Sequence, residues 1–226
     1  MENIILIFKF IIGTCLGSHA LVITQRLNKE NFIWGSSHCD NCQMNLSLLD
    51  EIPIYSFLKN KGRCKFCKES IPIVTIVSEI LGGFTFFKIN FYSFYAILDI
   101  IFLFYLLVIA LQDFQDQEFS TIFLIPISLI TFLSPLSAFY NFELLDWIVL
   151  IFLALFFVLE ISKSKMGFGD LIIFIFLGLY LGSLVAVHIL LLGCILFLIY
   201  YLLNPNSHSL AFIPFILGGL IINNLN

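Results

Sequence analysis

Charge is what this chain has least of. Only 12% of its 226 residues are Asp, Glu, Lys or Arg, about half the ~25% usual in soluble domains. Hydrophobic residues make up 60%, and the mean hydropathy is +1.04. An ordinary soluble globule is excluded, and a polytopic membrane protein is expected. Gly-x-Ser-x-Gly, His-Glu-x-x-His and the P-loop are all missing, which leaves serine-hydrolase, zinc-peptidase and nucleotide-driven readings without support. The start, Met1-Glu2-Asn3, has no basic segment, and no small-residue cleavage site follows the first apolar run. That run therefore reads as a retained helix rather than a secretory signal. The net charge of −4 says little about partners in so apolar a chain, and no nucleic-acid partner is expected.

What is present is apolar runs. Crossing about 30 Å of hydrocarbon takes roughly 20 residues, with shorter tilted or re-entrant variants. Eight runs can be marked, at 3–25, 72–88, 92–112, 119–138, 144–162, 170–183, 185–203 and 210–223. The run at 170–183 is short and contains Gly178 and Gly182, so it can also be read as one hairpin with the next. Seven of the eleven basic residues fall between Arg26 and Lys68: Arg26, Lys29, Lys59, Lys61, Arg63, Lys65 and Lys68. The positive-inside rule makes that segment cytoplasmic and the N-terminus external. Counting forward, the loops at 113–118 and 163–169 are cytoplasmic as well. Lys163 and Lys165 agree, and loops 89–91 and 139–143 carry no Lys or Arg.

The expected fold is thus an all-α polytopic membrane protein of about eight transmembrane helices, with one small cytoplasmic zinc-ribbon-like insert after the first. The expected organisation is a first transmembrane helix at 1–27, a four-cysteine insert at 28–71 and a transmembrane core at 72–226. In the insert, Cys39-x-x-Cys42 and Cys64-x-x-Cys67 stand 21 residues apart. Each pair offers two thiolates from a tight turn, and together they complete a closed tetrahedral zinc site. Disulfides are disfavoured on the reducing cytoplasmic side. A closed four-thiolate site has no open position, so a structural zinc is expected, supplying folding energy to a segment with little core of its own. Cys15 and Cys194 lie in apolar spans and read as small buried hydrophobes.

Acidic residues gather at two span ends, Asp113, Asp116 and Glu118 at one and Asp170 of Gly167-Phe168-Gly169-Asp170 at the other. On one side of a bilayer, two carboxylates can meet and share a proton. Asp116 and Glu118 also read as residues of a solvated loop, and Asp113 with Asp116, at i and i+3, is a rival pair. Glu79 lies within a span, where an ionisable group is costly and usually functional. Asp99, His19 and His188 read as structural.

These residues resemble the prepilin peptidases, membrane aspartic proteases that process type IV pilins and pseudopilins. The resemblance runs through Gly13-x-x-x-Gly17-Ser18 and Arg26-Leu27, then Cys39-x-x-Cys42, Asp50-x-x-Pro53-x-x-Ser56, Gly62-Arg63-Cys64-x-x-Cys67, Ile71-Pro72 and Glu79. It continues through Asp113, Gly167-x-Gly169-Asp170 and Ile213-Pro214-Phe215. Three departures stand out. Phe119-Ser120-Thr121 replaces the Pro-Asp or Pro-Asn after the first aspartate, Ile172 replaces a Lys, and His19 and Leu21 replace the usual residues of the opening helix. The compact length is similar to the short enzymes of Gram-positive competence systems.

The resemblance implies Asp113 and Asp170 as the catalytic pair, with Gly167, Gly169 and Glu79 handling substrate. Gly167 and Gly169 fit, because residues without a Cβ let a backbone turn tightly and a substrate approach. It implies a bacterial cytoplasmic (inner) membrane location with the catalytic face in the cytoplasm. The implied substrates are type IV prepilins or pseudopilins, with a short basic leader, a Gly at the cleavage point and an apolar helix held in membrane lipid. Many members also methylate the new N-terminus with S-adenosylmethionine, and the residues leave a peptidase alone and a bifunctional enzyme both open. Two other classes remain: a proton-coupled transporter with intramembrane carboxylates, and an inactive membrane scaffold whose zinc ribbon recruits a partner.

Overall fold

A computed structural model describes residues 2–27, 37–39, 41–47, 50–89, 93, 95–163, 166–205 and 210–225. Lys29, Lys165 and residues 28–36 of the insert lie outside the described residues. Among those described, the elements are α1 (Glu2–Arg26), α2 (Tyr55–Lys59), α3 (Ile73–Thr85), α4 (Ala96–Asp116), α5 (Leu124–Leu133), α6 (Leu144–Ser162), α7 (Phe168–Leu181), α8 (Ser183–Leu203) and α9 (Ile213–Leu225). Short 3-10 turns precede α5 at Thr121–Phe123 and α6 at Ala138–Asn141. The chain divides into two compact units, Met1–Ile89 and Asn90–Asn226.

Among the described residues, five segments are long and apolar enough to cross a membrane: Ile4–Arg26, Ala96–Asp116, Thr121–Asn141, Leu144–Ser162 and Ser183–Leu203. The other three expected spans are shorter apolar helices, α3, α7 and α9, of 13, 14 and 13 residues. At ~1.5 Å per residue each covers roughly 20 Å, less than the ~30 Å of a hydrocarbon core. The expected run 92–112 is displaced toward its C-terminus, so that Asp113 lies within α4 rather than beyond it.

In the first unit, α1 and α3 pack antiparallel at glycine distance. A Cβ on Gly17 would lie 2.3 Å from the Ser78 carbonyl oxygen, and one on Gly82 would lie 2.4 Å from that of Gly13. Small residues four apart let two backbones touch, and apolar solvent cannot drive this association, so close van der Waals contact must. Phe10 closes the crossing by packing on Gly83 and edge-on to Phe84, with ring centroids 5.3 Å apart.

In the second unit, α4 is the most enclosed of the membrane-length helices, with Phe102, Leu106, Leu107, Val108 and Ile109 all buried. It packs on α5 and α9, while α7 packs on α5, α6 and α8. The α8–α9 pair repeats the glycine device: a Cβ on Gly219 would sit 2.3 Å from the Ile189 carbonyl oxygen. α7 and α8 meet at the single residue Gly182, whose φ of +104° suits glycine alone. The apolar stretch from 168 to 203 is therefore two helices joined without a loop.

Candidate active site

Asp113 and Asp170 come from different helices and line one cavity of about 560 Å³, together with Gly167, Gly169, Phe119 and Ile213. Both carboxylates are buried, at 7% and 8% exposure, and each is held by a backbone N–H. Gly167 N–H donates to Asp170 Oδ2 at 3.0 Å, which places Asp170 as the acidic residue of α7's first turn. Ile213 N–H, at the start of α9, donates to Asp113 Oδ2 at 3.2 Å. The unsatisfied N–H groups of a helix start favour a negative charge, so two helix starts hold the two carboxylates.

The loop between α4 and α5 forms one wall of the cavity. Gln117 ends α4 in the left-handed region, with φ of 58°. The buried Gln112 side chain then accepts a hydrogen bond from Ser120 N–H at 3.0 Å. Phe119 is thereby laid on Gly169, where an added Cβ would lie 2.4 Å from its ring. Sequence reasoning singled out Asp113, Gly167, Gly169 and Asp170 but passed over Gln112, Phe119 as a packing partner and the N–H of Ile213. The available signals were a polar Gln112 beside Asp113 in an apolar run, and Pro214, which suits a helix start. Asp116 and Glu118 are exposed; α4 does continue through Asp116, but only Asp113 of that pair is buried.

Glu79 belongs to the first unit. Its buried carboxylate, on α3, accepts from Ile54 N–H at 2.6 Å and lies beside the Ser18 hydroxyl of α1. Ile54 has φ of 59° and ψ of −48°, and Tyr55 N–H reaches back to Pro53 O at 2.5 Å. This is a γ-turn with positive φ, a strained conformation for a β-branched residue.

Cys39, Cys42, Cys64 and Cys67 gather with all four sulfurs within 4.8 Å of one another. Cys39 Sγ lies 3.8 Å from Cys67 Sγ, and Cys42 Sγ lies 4.0 Å from Cys64 Sγ. A tetrahedron with Zn–S bonds of ~2.3 Å has edges of about 3.8 Å, so the donor set fits zinc. The two knuckles share one local design. Cys39 and Cys64 N–H groups bond Met44 O and Glu69 O; Gln43 and Lys68, each four residues after the first cysteine, have φ of 57° and 63°. Isolated antiparallel bridges, His38 with Asn45 and Arg63 with Ser70, close each knuckle. The N–H groups of Cys67 and Phe66 are directed at the Cys64 sulfur and favour the thiolate that a metal requires. Nearby, the Ser47 hydroxyl and then Lys65 hold the Asp50 carboxyl below its ordinary range, with Lys65 Nζ 3.3 Å away. With four thiolates bound, zinc would cross-link the two knuckles and have no position left for substrate.

Comparison with known proteins agrees with this architecture. Residues 11–94 match the family described as the bacterial peptidase A24 N-terminal domain. The chain is 29% identical over 184 residues to the "Prepilin leader peptidase/N-methyltransferase" of Bacillus subtilis, covering 76% of this chain and 72% of that one. It is 27% identical over 205 residues to the "Type 4 prepilin-like proteins leader peptide-processing enzyme" of Escherichia coli, covering 81% and 73%. A Pectobacterium carotovorum protein named like the first is 24% identical over 226 residues, covering 88% of this chain and 78% of its own. No solved structure matches the chain. Residues 11–94 thus match the peptidase A24 N-terminal domain, and over most of its length the chain is similar to bacterial proteins named as prepilin leader peptidases or leader peptide-processing enzymes.

Proposed function

We propose that this protein is a membrane aspartic endopeptidase that removes the short basic leader of type IV prepilin-like or pseudopilin substrates, with Asp113 and Asp170 as its catalytic pair. The observation that carries the reading is the meeting of two buried carboxylates from separate helices in one cavity, each held by a helix-start N–H. One carboxylate, ionised, takes a proton from water as the oxygen attacks the scissile carbonyl. The other, protonated, returns a proton to the leaving nitrogen, so the pair ends the cycle with the proton exchanged between them. Two like charges in close proximity do not both ionise readily, which maintains that division of labour.

In this reading all eight apolar helices enter the bilayer of the bacterial cytoplasmic membrane. The cavity faces the cytoplasm, and the insert is a zinc-stabilised module preceding the catalytic core. Gly167 and Gly169 leave space for the substrate backbone, and Glu79 orders the substrate-handling face of the first unit. The names of the relatives add a second activity, transfer of a methyl group to the new N-terminus. S-adenosylmethionine would supply that group, and no residue here is assigned to hold it. Methyl incorporation into the cut product separates a bifunctional enzyme from a peptidase alone.

The deciding experiment is cleavage of a co-expressed prepilin-like substrate by wild type, Asp113→Asn and Asp170→Asn at equal membrane levels. Cleavage by wild type, with loss of at least ~10³-fold in both variants, is expected. Full activity in either variant would remove it from the pair, and persistent failure of wild type would favour the transporter or scaffold.

A further inference from the structure

The two helices that carry Asp113 and Asp170 have little backbone packing with each other. α4 rests chiefly on α5 and α9, whereas α7 rests on α5, α6, α8 and the Ala138–Asn141 turn. A direct link between them is made by side chains. At the end away from the cavity, Tyr180 of α7 is 4% exposed and stacks on Phe102 of α4, with centroids 4.2 Å apart and planes 18° apart. Its hydroxyl donates to the Asp99 carboxylate of α4. Ser137 Oγ then holds the Leu179 carbonyl at 3.1 Å. A phenylalanine would fill the same space on Phe102. A hydroxyl and a carboxylate among apolar helices need another reason.

We propose that Tyr180 and Asp99 form a strut that fixes the gap between α4 and α7, and through it the spacing of Asp113 and Asp170. They are positioning residues for the cleavage reaction proposed above, on which this inference rests. Asp170 precedes Tyr180 by ten residues and Asp113 follows Asp99 by fourteen, arms of roughly 15 and 21 Å along the helices. Over the shorter arm, a tilt of about 4° moves the carboxylate by about 1 Å. A misplacement of that size can cost on the order of 10²-fold in rate. The strut thus has leverage on the chemistry without touching substrate.

The test is kcat and KM for cleavage of a prepilin-like substrate, a basic leader followed by an apolar helix, by purified wild type, Tyr180→Phe, Asp99→Leu, Asp99→Asn and the Tyr180→Phe/Asp99→Leu double variant. Rates are expressed per folded enzyme. Tyr180→Phe and Asp99→Leu are expected to lower kcat about tenfold or more, with KM within about twofold. Asp99→Asn keeps an acceptor for the hydroxyl and is expected to stay within about threefold of wild type. The double variant is expected to lose no more than either single one, because both break one strut. Near-wild-type kcat in Tyr180→Phe, or losses that multiply in the double variant, would overturn the inference. Should Tyr180→Phe fail to fold, equal activity of Asp99→Asn and Asp99→Leu overturns it. An inactive wild type would instead remove the peptidase reading and this inference with it.

Discussion

Gly169 shows how much one missing Cβ decides at this site. The Phe119 ring occupies the place where a side chain at 169 would start, 2.4 Å from an ideal Cβ. Either the ring or α7 must move to admit a methyl group, and Asp170 is the next residue. Gly169→Ala is therefore expected to lower cleavage by about tenfold or more, through overpacking rather than loss of any hydrogen bond. Adding Phe119→Ala should restore much of that loss, since it vacates the contested volume. Single and double variants compared for kcat at equal folded amounts check this, and a double variant no better than Gly169→Ala would refute it. Phe119 begins the first departure from the resemblance described above, and it is packed into the cavity wall. Ile172, the second departure, lines the same cavity.

At the scale of elements, the glycine crossings set which helices pair. Gly17 lies against the Ser78 carbonyl, and Gly82 against Gly13 and Gly17, all closer than a Cβ permits. Gly17→Val would force α1 and α3 apart, and with them the Ser18–Glu79 contact. Its expected outcome is a sharp drop in membrane-integrated protein, by at least severalfold, read by quantitative blot of washed membranes; normal levels would show that the crossing tolerates separation. The helices themselves were legible beforehand, because the apolar runs located all eight to within a few residues; their pairing was not, although the Gly13-x-x-x-Gly17 spacing permits close approach. Other features were not legible either. The lengths of α3 and α7 depend on where Pro72, Gly167 and Gly182 interrupt the helices rather than on where hydropathy fades. The strut of Tyr180 on Asp99 and Phe102 joins residues far apart in sequence, and neither a lone Tyr nor a lone Asp in an apolar run specifies a partner. The catalytic candidates were legible chiefly through the resemblance, since Gly-x-Gly-Asp is a weak signal alone and Asp113 has no glycine beside it. The helix starts that hold those carboxylates were not, since a backbone N–H has no letter of its own.

For the molecule as a whole, unequal helix lengths decide where the carboxylates sit. α7 has 14 residues and α8 has 21, and the two share an end at Gly182. Run antiparallel from that common end, α7 stops about 10 Å short of the level that α8 reaches, at ~1.5 Å per residue. Asp170 occupies that stopping point, and the cavity lined by Asp113 and Ile213 opens there. If α8 crosses the hydrocarbon fully, the carboxylates lie in a recess below the headgroups, at the depth where the end of an apolar substrate helix would emerge. Water must enter that recess for hydrolysis, so its rim is expected to be accessible from one side only. Cysteines placed at Glu118 and Gly167, in a Cys15→Ser/Cys194→Ser background with zinc loaded, should react with a membrane-impermeant thiol reagent in inside-out vesicles but not in intact spheroplasts. One placed at Phe152, 69% exposed on the flank of α6 and expected to face lipid, should resist the reagent in both. Labelling of 118 and 167 from opposite sides would separate the two carboxylate-bearing ends across the bilayer and exclude a shared proton. Labelling from the cytoplasmic side alone would put the cavity where a basic leader is presented.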